Sequence, residues 1–272
     1  MYPNRLVKIV ILSVIVFSII YGGVHLYSRF SYNKLAYQSD LYCKLIPDAS
    51  HIVLLNKNWK KHYAVQDDTF ALLMNKISEQ IFYPAAIIYR GEDVVFLAKA
   101  DYAQCGIIKG VLKQDMFADY SPRSSRCKDA KIEGYSVRDG EFLFVTFHQG
   151  LFVLSRSYNL IEEVIERDDD YVYLRDSADA AFIDRYVVGR SVSTLTKYGE
   201  TPFVFEQDRS RGNDTLTIVN GYILSPDFSA YTLSSDSLFL SDMLGGDKIE
   251  AITVFEQKDE NVFFEIELNK KY

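Results

Sequence analysis

The chain has 272 residues, 48% hydrophobic and 25% charged, with 30 Lys and Arg against 37 Asp and Glu and a formal net charge of −7. Arg5, Lys8 and Arg29 precede Phe30 while no acidic residue does, so the remainder carries about −10. That balance, with no basic helix or stripe, excludes phosphate-backbone binding, which needs clustered Lys and Arg.

Residues 9–28 (IVILSVIVFSIIYGGVHLYS) contain no Asp, Glu, Lys or Arg. At 1.5 Å rise per residue, a helix of this length spans a hydrocarbon core of about 30 Å. The apolar run exceeds that of a cleaved secretory signal, and Gly22-Gly23 is followed by no small-x-small site. It therefore reads as an uncleaved signal-anchor. Tyr21, His25 and Tyr27 gather at its C-terminal end, where amphipathic rings suit the headgroup layer. Arg5, Lys8 and the amino terminus outweigh Arg29 and Lys34, so residues 1–8 are expected as a short cytoplasmic head. The bulk is then expected in the periplasm or outside, on a single-pass inner-membrane protein.

Residues 29–45 read as a polar and aromatic stalk, 46–168 as a first α+β half and 169–272 as a second. Pro47-Asp48 introduces a strand at 51–56. Asp67, Asp68 and Thr69 start a helix whose Phe70, Leu73, Met74, Ile77 and Ile81 form one apolar stripe. Strands follow at 85–89 and 94–99 around Gly91, and Asp101 caps a helix burying Cys105, Ile108, Val111 and Leu112. A meander at 134–138, 141–147 and 151–155 turns at Asp139-Gly140 and at His148-Gln149-Gly150. Ser157 or Asn159 caps the next helix, Asn159 and Glu162 standing at capping-box spacing, and Asp168–170 marks a seam.

In the second half Ser177 begins a short helix through Phe182 and Tyr186. Strands are expected at 202–206, 215–219, 222–224, 251–256 and 261–268, with turns at Asn220-Gly221 and at 258–260. Strands broken by a few helices, without βαβ alternation, predict an α+β domain of mainly antiparallel sheet. The 20 Tyr and 18 Phe suit half-buried sheet faces.

The three cysteines are Cys43, Cys105 and Cys127. In an oxidising compartment Cys105–Cys127 is the preferred pair, because Cys127 sits in a polar stretch (SPRSSRCKDAK) that a bridge would tether. The competing reading makes Cys105 a small buried hydrophobe on a helix. Absent CxxC and Cys/His ligand spacings argue against zinc and thioredoxin chemistry.

Beyond the anchor, His51, His62 and His148 lack a G-x-S-x-G elbow or other nucleophile signature, and structural roles are expected for them. Carboxylate pairs such as Glu162/Glu163 and Glu250/Glu256 carry no spacing that selects them for acid–base work. The 168–170 aspartates lack the alternation and Gly of a calcium loop. No phosphate or dinucleotide fingerprint occurs. No catalytic, cofactor or metal set is assigned.

"IPDAS" at 46–50, "GLFVLSRSYNLIEEVIE" at 150–166 and "TLTIVNGYIL" at 215–224 resemble a family of membrane-anchored exported proteins of Gram-negative bacteria with a domain of unknown function. The resemblance implies an envelope location and a non-catalytic role. Asp176-Ser177-Ala178, Asp214-Thr215-Leu216 and Asp236-Ser237-Leu238 resemble the Asp-[Ser/Thr]-aliphatic O-glycosylation sequon of some such bacteria. Thr215, Ser237 and Ser177 are the candidate acceptors, Ser177 with a competing use as a helix cap. The function expected is a binding or scaffolding module for an envelope protein or glycan, with an envelope hydrolase of glycan or peptide as the alternative.

Overall fold

The computed structural model describes residues 5–61, 63, 68–117, 121–138, 141–168, 170–198, 201–208, 216–224, 248–258 and 261–269. The chain opens on α1 (Arg5–Gln38), a single 34-residue helix. Of the described helices it is the one long and apolar enough to cross a membrane. The segment expected as a stalk is not a linker. Residues 29–38 continue α1, and Leu41, Tyr42, Cys43, Leu45 and Ile46 are buried in the domain. The cause is local: Ala36 is fully buried, and Asp40 Oδ1 accepts the Tyr42 N–H at 2.9 Å, bending the chain inward directly after the helix.

Among the described residues twelve strands form one sheet: β1 (His51–Leu55), β2 (Phe82–Arg90), β3 (Asp93–Lys99), β4 (Arg123–Cys127), β5 (Ala130–Arg138), β6 (Glu141–His148), β7 (Leu151–Ser155), β8 (Val192–Tyr198), β9 (Thr201–Asp208), β10 (Leu216–Ile223), β11 (Lys248–Lys258) and β12 (Asn261–Asn269). Their order is β11-β12-β10-β9-β8-β1-β2-β3-β7-β6-β5-β4, and every pairing is antiparallel. The helices are α2 (Asp68–Ile77), α3 (Tyr102–Gly110), α4 (Tyr158–Glu166) and α5 (Ser177–Val187). The domain is thus α+β, mostly antiparallel sheet with few helices.

Outward from the central β1–β8 pair, both sides read alike. Each side has three strands in chain order, then the last strand of its half, then the one before it: β3 meets β7 and β6, β10 meets β12 and β11. The two halves thus share a strand topology, and the sheet runs unbroken across the 168/169 seam.

Two cores lie on opposite faces of the central strands. Ile52, Leu54, Ile88, Leu97 and Val153 pack with α4, α5 and the 41–46 segment. Val53, Leu55, Ile87, Phe96 and Leu154 pack with α2 and α3. Cover on both faces explains why β7 is buried at all five positions, where a sheet wetted on one face would alternate. A register slip of one residue in β1 would exchange the two sets, so each strand's register is specified twice.

Several boundaries differ from expectation. Strand β10 runs straight through Asn220-Gly221, where a turn was expected, because Gly221 is paired with Phe205 on one side and Phe264 on the other. The SPRSSRCKDAK stretch contains edge strand β4, which turns into β5 with Lys128 at φ 49°. The 192–198 strand, rich in Ser and Thr, carried too few apolar residues to announce itself. Asp101 does cap α3, in a capping box closed by Gln104 at 2.8 Å in both directions. The α4 cap position is Ser157, not Asn159, and its hydroxyl makes no capping bond.

Candidate functional site

A cleft of about 240 Å³ opens where α1 ends against the domain. Its wall combines Tyr37 and Gln38 from α1, Asp40 and Tyr42 from the following turn, Lys99 from the end of β3, and Ser177, Ala180 and Asp184 from α5. Three segments distant in sequence meet there: the end of α1 with its following turn, β3 and α5, the turn being tied to α5 by the Tyr42–Asp184 hydrogen bond.

Two carboxylates face the cleft, and each is held by a phenol. Tyr171 donates its O–H to Asp40 Oδ2 at 2.5 Å, and Tyr42 donates to Asp184 Oδ1 at 2.8 Å. Burial first, then the Asp184 carboxylate, pushes the Tyr42 phenol well above its ordinary range. For Tyr171 the hydrogen bond to Asp40 leads and burial adds to the same upward shift. Both phenols therefore act as fixed donors that orient the carboxylates, not as bases. Lys99 supplies a positive donor on the same wall. The arrangement can accept hydrogen bonds from hydroxyl or ammonium groups, beside the 66%-exposed ring of Tyr37.

The residues singled out by sequence lie elsewhere, with one exception. Ser177 lines the cleft mouth as the first residue of α5, but the helix cap is Asp176, whose carboxylate accepts the N–H of Ala178 at 2.8 Å and of Asp179 at 3.1 Å. Thr215 and Ser237 lie outside the described residues. The expected Cys105–Cys127 bridge is not formed, and none of the three cysteines is in a disulfide. Cys105 belongs to the core beneath α3 and Cys127 to the core beneath α4, so the sheet stands between them. Burial pushes the Cys105 thiol up to about 11 against the pull of Tyr32 and Lys109, which suits the buried-hydrophobe reading.

His51 stacks on Tyr89 with ring centroids 4.5 Å apart. Its Nδ1 is 3.3 Å from Ser50 Oγ, yet that hydroxyl donates to the Tyr89 carbonyl at 3.0 Å, so no activated nucleophile results. His148 is buried, 3.5 Å from Asp129, and away from the cleft wall. His62 is outside the described residues. Glu163 bonds Arg90 and Arg167, both at 2.7 Å, in an ion network that ties β2 to α4. Glu250 and Glu256 lie on β11. Among the described residues, no group of three or more His, Cys, Asp or Glu is placed to hold a metal.

The sequence reading missed Asp40, Tyr42, Lys99, Tyr171 and Asp184. The one local signal was Asp40 two residues before Tyr42, the spacing of an Asx turn.

No family model matches the chain. A search of curated proteins finds no match either. Among solved structures the chain is similar to crystal form I of TP0453, at a TM-score of 0.40 and 9% identity, covering 83% of this chain and 91% of that one.

Proposed function

We propose that the protein is a single-pass membrane protein whose α+β domain is a non-catalytic binding module. It is held against the bilayer by α1, and it takes a glycan of the cell envelope at the cleft beside that helix. The observation that carries the reading is the cleft itself. Carboxylates oriented by phenols, a lysine and an exposed tyrosine ring are the groups that recognise a hydroxyl-rich, amphipathic ligand. The slight excess of positive charge before residue 9, Arg5, Lys8 and the amino terminus against Arg29 and Lys34, supports an N-inside orientation with the domain in the periplasm.

Two carboxylates in one cleft also favour a second reading, hydrolysis of the bound glycan. Against it, the cleft wall around both is polar, whereas the general acid of a glycosidase sits in an apolar pocket. The test is a glycan array probed with the full chain in lipid nanodiscs, beside Asp40→Asn and Asp184→Asn. Binding that weakens at least ten-fold in both variants supports the reading. Absence of any bound glycan, or binding indifferent to both changes, overturns it. Release of new reducing ends by the parent but not the variants moves the function to hydrolysis.

A further inference from the structure

The outward side of α3 carries one charge, the exposed Lys109, whose ammonium lies 4.9 Å from the centre of the Phe147 ring. Cys105 and Ile108 point into the core, as does Leu112 just beyond the helix, and the opposite side presents Tyr102, Ala103, Gly106, Ile107 and Gly110. Ile107 is 49% exposed and Tyr102 39%. A helix side that exposes a tyrosine and an isoleucine beside a single lysine is amphipathic in the manner of a helix at a membrane interface, where a lysine's stem lies along apolar surface and its ammonium reaches the headgroups.

The position of this face supplies the reason. The Tyr102 N–H donates to Asn33 Oδ1 of α1 at 2.9 Å, and the Tyr102 ring lies edge-on 5.8 Å from the ring of His25 and 6.3 Å from that of Tyr32. His25 belongs to the uncharged stretch of α1, four residues before Arg29. The backbone at the start of α3 is therefore level with Asn33, just beyond that stretch, and the Tyr102 ring reaches back to His25 at its polar end.

We infer that α3 is a second membrane contact: its Tyr102–Gly110 face rests in the headgroup layer of the same bilayer that α1 crosses. Tyr102 completes the aromatic belt around α1, and Ile107 reaches the acyl boundary. The glycines let the helix backbone approach lipid closely, and a side chain added at Gly106 or Gly110 would meet nothing within 4 Å. This inference rests on α1 being a membrane span, and the test separates the two.

Ile107→Trp and Val16→Trp are each placed in the full chain and reconstituted in phosphatidylcholine nanodiscs. Half of each preparation carries lipid brominated near the headgroup end of its chains. Emission added over the parent chain, which keeps Trp59, is the readout. At least two-fold quenching of both added tryptophans is expected. Quenching at Val16→Trp without quenching at Ile107→Trp overturns the α3 contact and leaves the span standing. Quenching at neither removes the span and the contact together. A further Gly106→Asp change in the Ile107→Trp chain is expected to weaken its quenching, because the carboxylate has open space but no water. Unchanged quenching there contradicts burial of the face in lipid.

Discussion

Gly150 and Ala36 meet backbone to backbone. A methyl group at Gly150 would fall 2.2 Å from Ala36 Cα and 2.3 Å from its nitrogen, and Gly150 sits at φ +79°. The β6–β7 turn is thus the seat on which the C-terminal end of α1 rests, and only glycine satisfies both the dihedral and the contact. Gly150→Ala is predicted to cost on the order of 3 kcal/mol and to lift α1 from the domain. Denaturant midpoints read the cost, and new proteolytic cleavage between residues 29 and 41 reads the release. A parent-like midpoint with no new cleavage would refute the seat.

Gly221 has a comparable role on the far side of the sheet. A methyl there would meet Phe264 Cζ at 2.3 Å and the Val204 carbonyl oxygen at 2.7 Å. The Phe264 ring covers a position where a turn would leave open space. Gly221→Ala is expected to destabilise by about 1–3 kcal/mol through overpacking. An equilibrium unfolding curve that does not move would show that the ring and carbonyl yield freely.

Buried His148 gives stability a pH dependence of known sign. Burial lowers its pKa, Lys44 and Lys128 add to the lowering, and Asp129 opposes it. Burial lowers His51 as well. Below the ordinary value of about 6.5 the unfolded histidine takes a proton that the folded one resists, so stability falls as pH falls through that range. The slope from His148 is bounded at about 1.4 kcal/mol per pH unit. Thermal unfolding followed from pH 7.5 to 5.5 should show falling midpoints, and His148→Gln should flatten the curve. A midpoint that rises on acidification would contradict the burial assignment.

The cysteines make a fourth test. Since Cys105 and Cys127 lie on opposite faces of the sheet, all three thiols are expected to titrate in the unfolded, never-reduced protein and to react slowly in the folded one. A mass two hydrogens short of the reduced chain would reveal a bridge that this fold forbids.

The sequence was most legible where one period dominated. The Phe70, Leu73, Met74, Ile77 stripe falls on α2 because it buries one helix face, and the apolar run at 151–155 falls on β7 because that strand is covered on both faces. Legibility failed where tertiary contact overrode local chemistry. Asn220-Gly221 has turn composition yet lies mid-strand under Phe264. Residues 29–38 look like a polar stalk because their apolar contacts, such as Ala36 on Gly150, are single residues and not a stripe. The cleft was illegible for the same reason. Asp40, Lys99, Tyr171 and Asp184 are scattered through the chain, and only the fold brings them together.

The most direct measurement of the account is amide hydrogen exchange of the full chain in lipid nanodiscs, read at residues 29–38. If α1 passes from the bilayer into the domain without a break, those amides exchange as slowly as the amides of β7. Exchange within seconds, with β7 still protected, would mean a free tether between membrane and domain and would contradict the account.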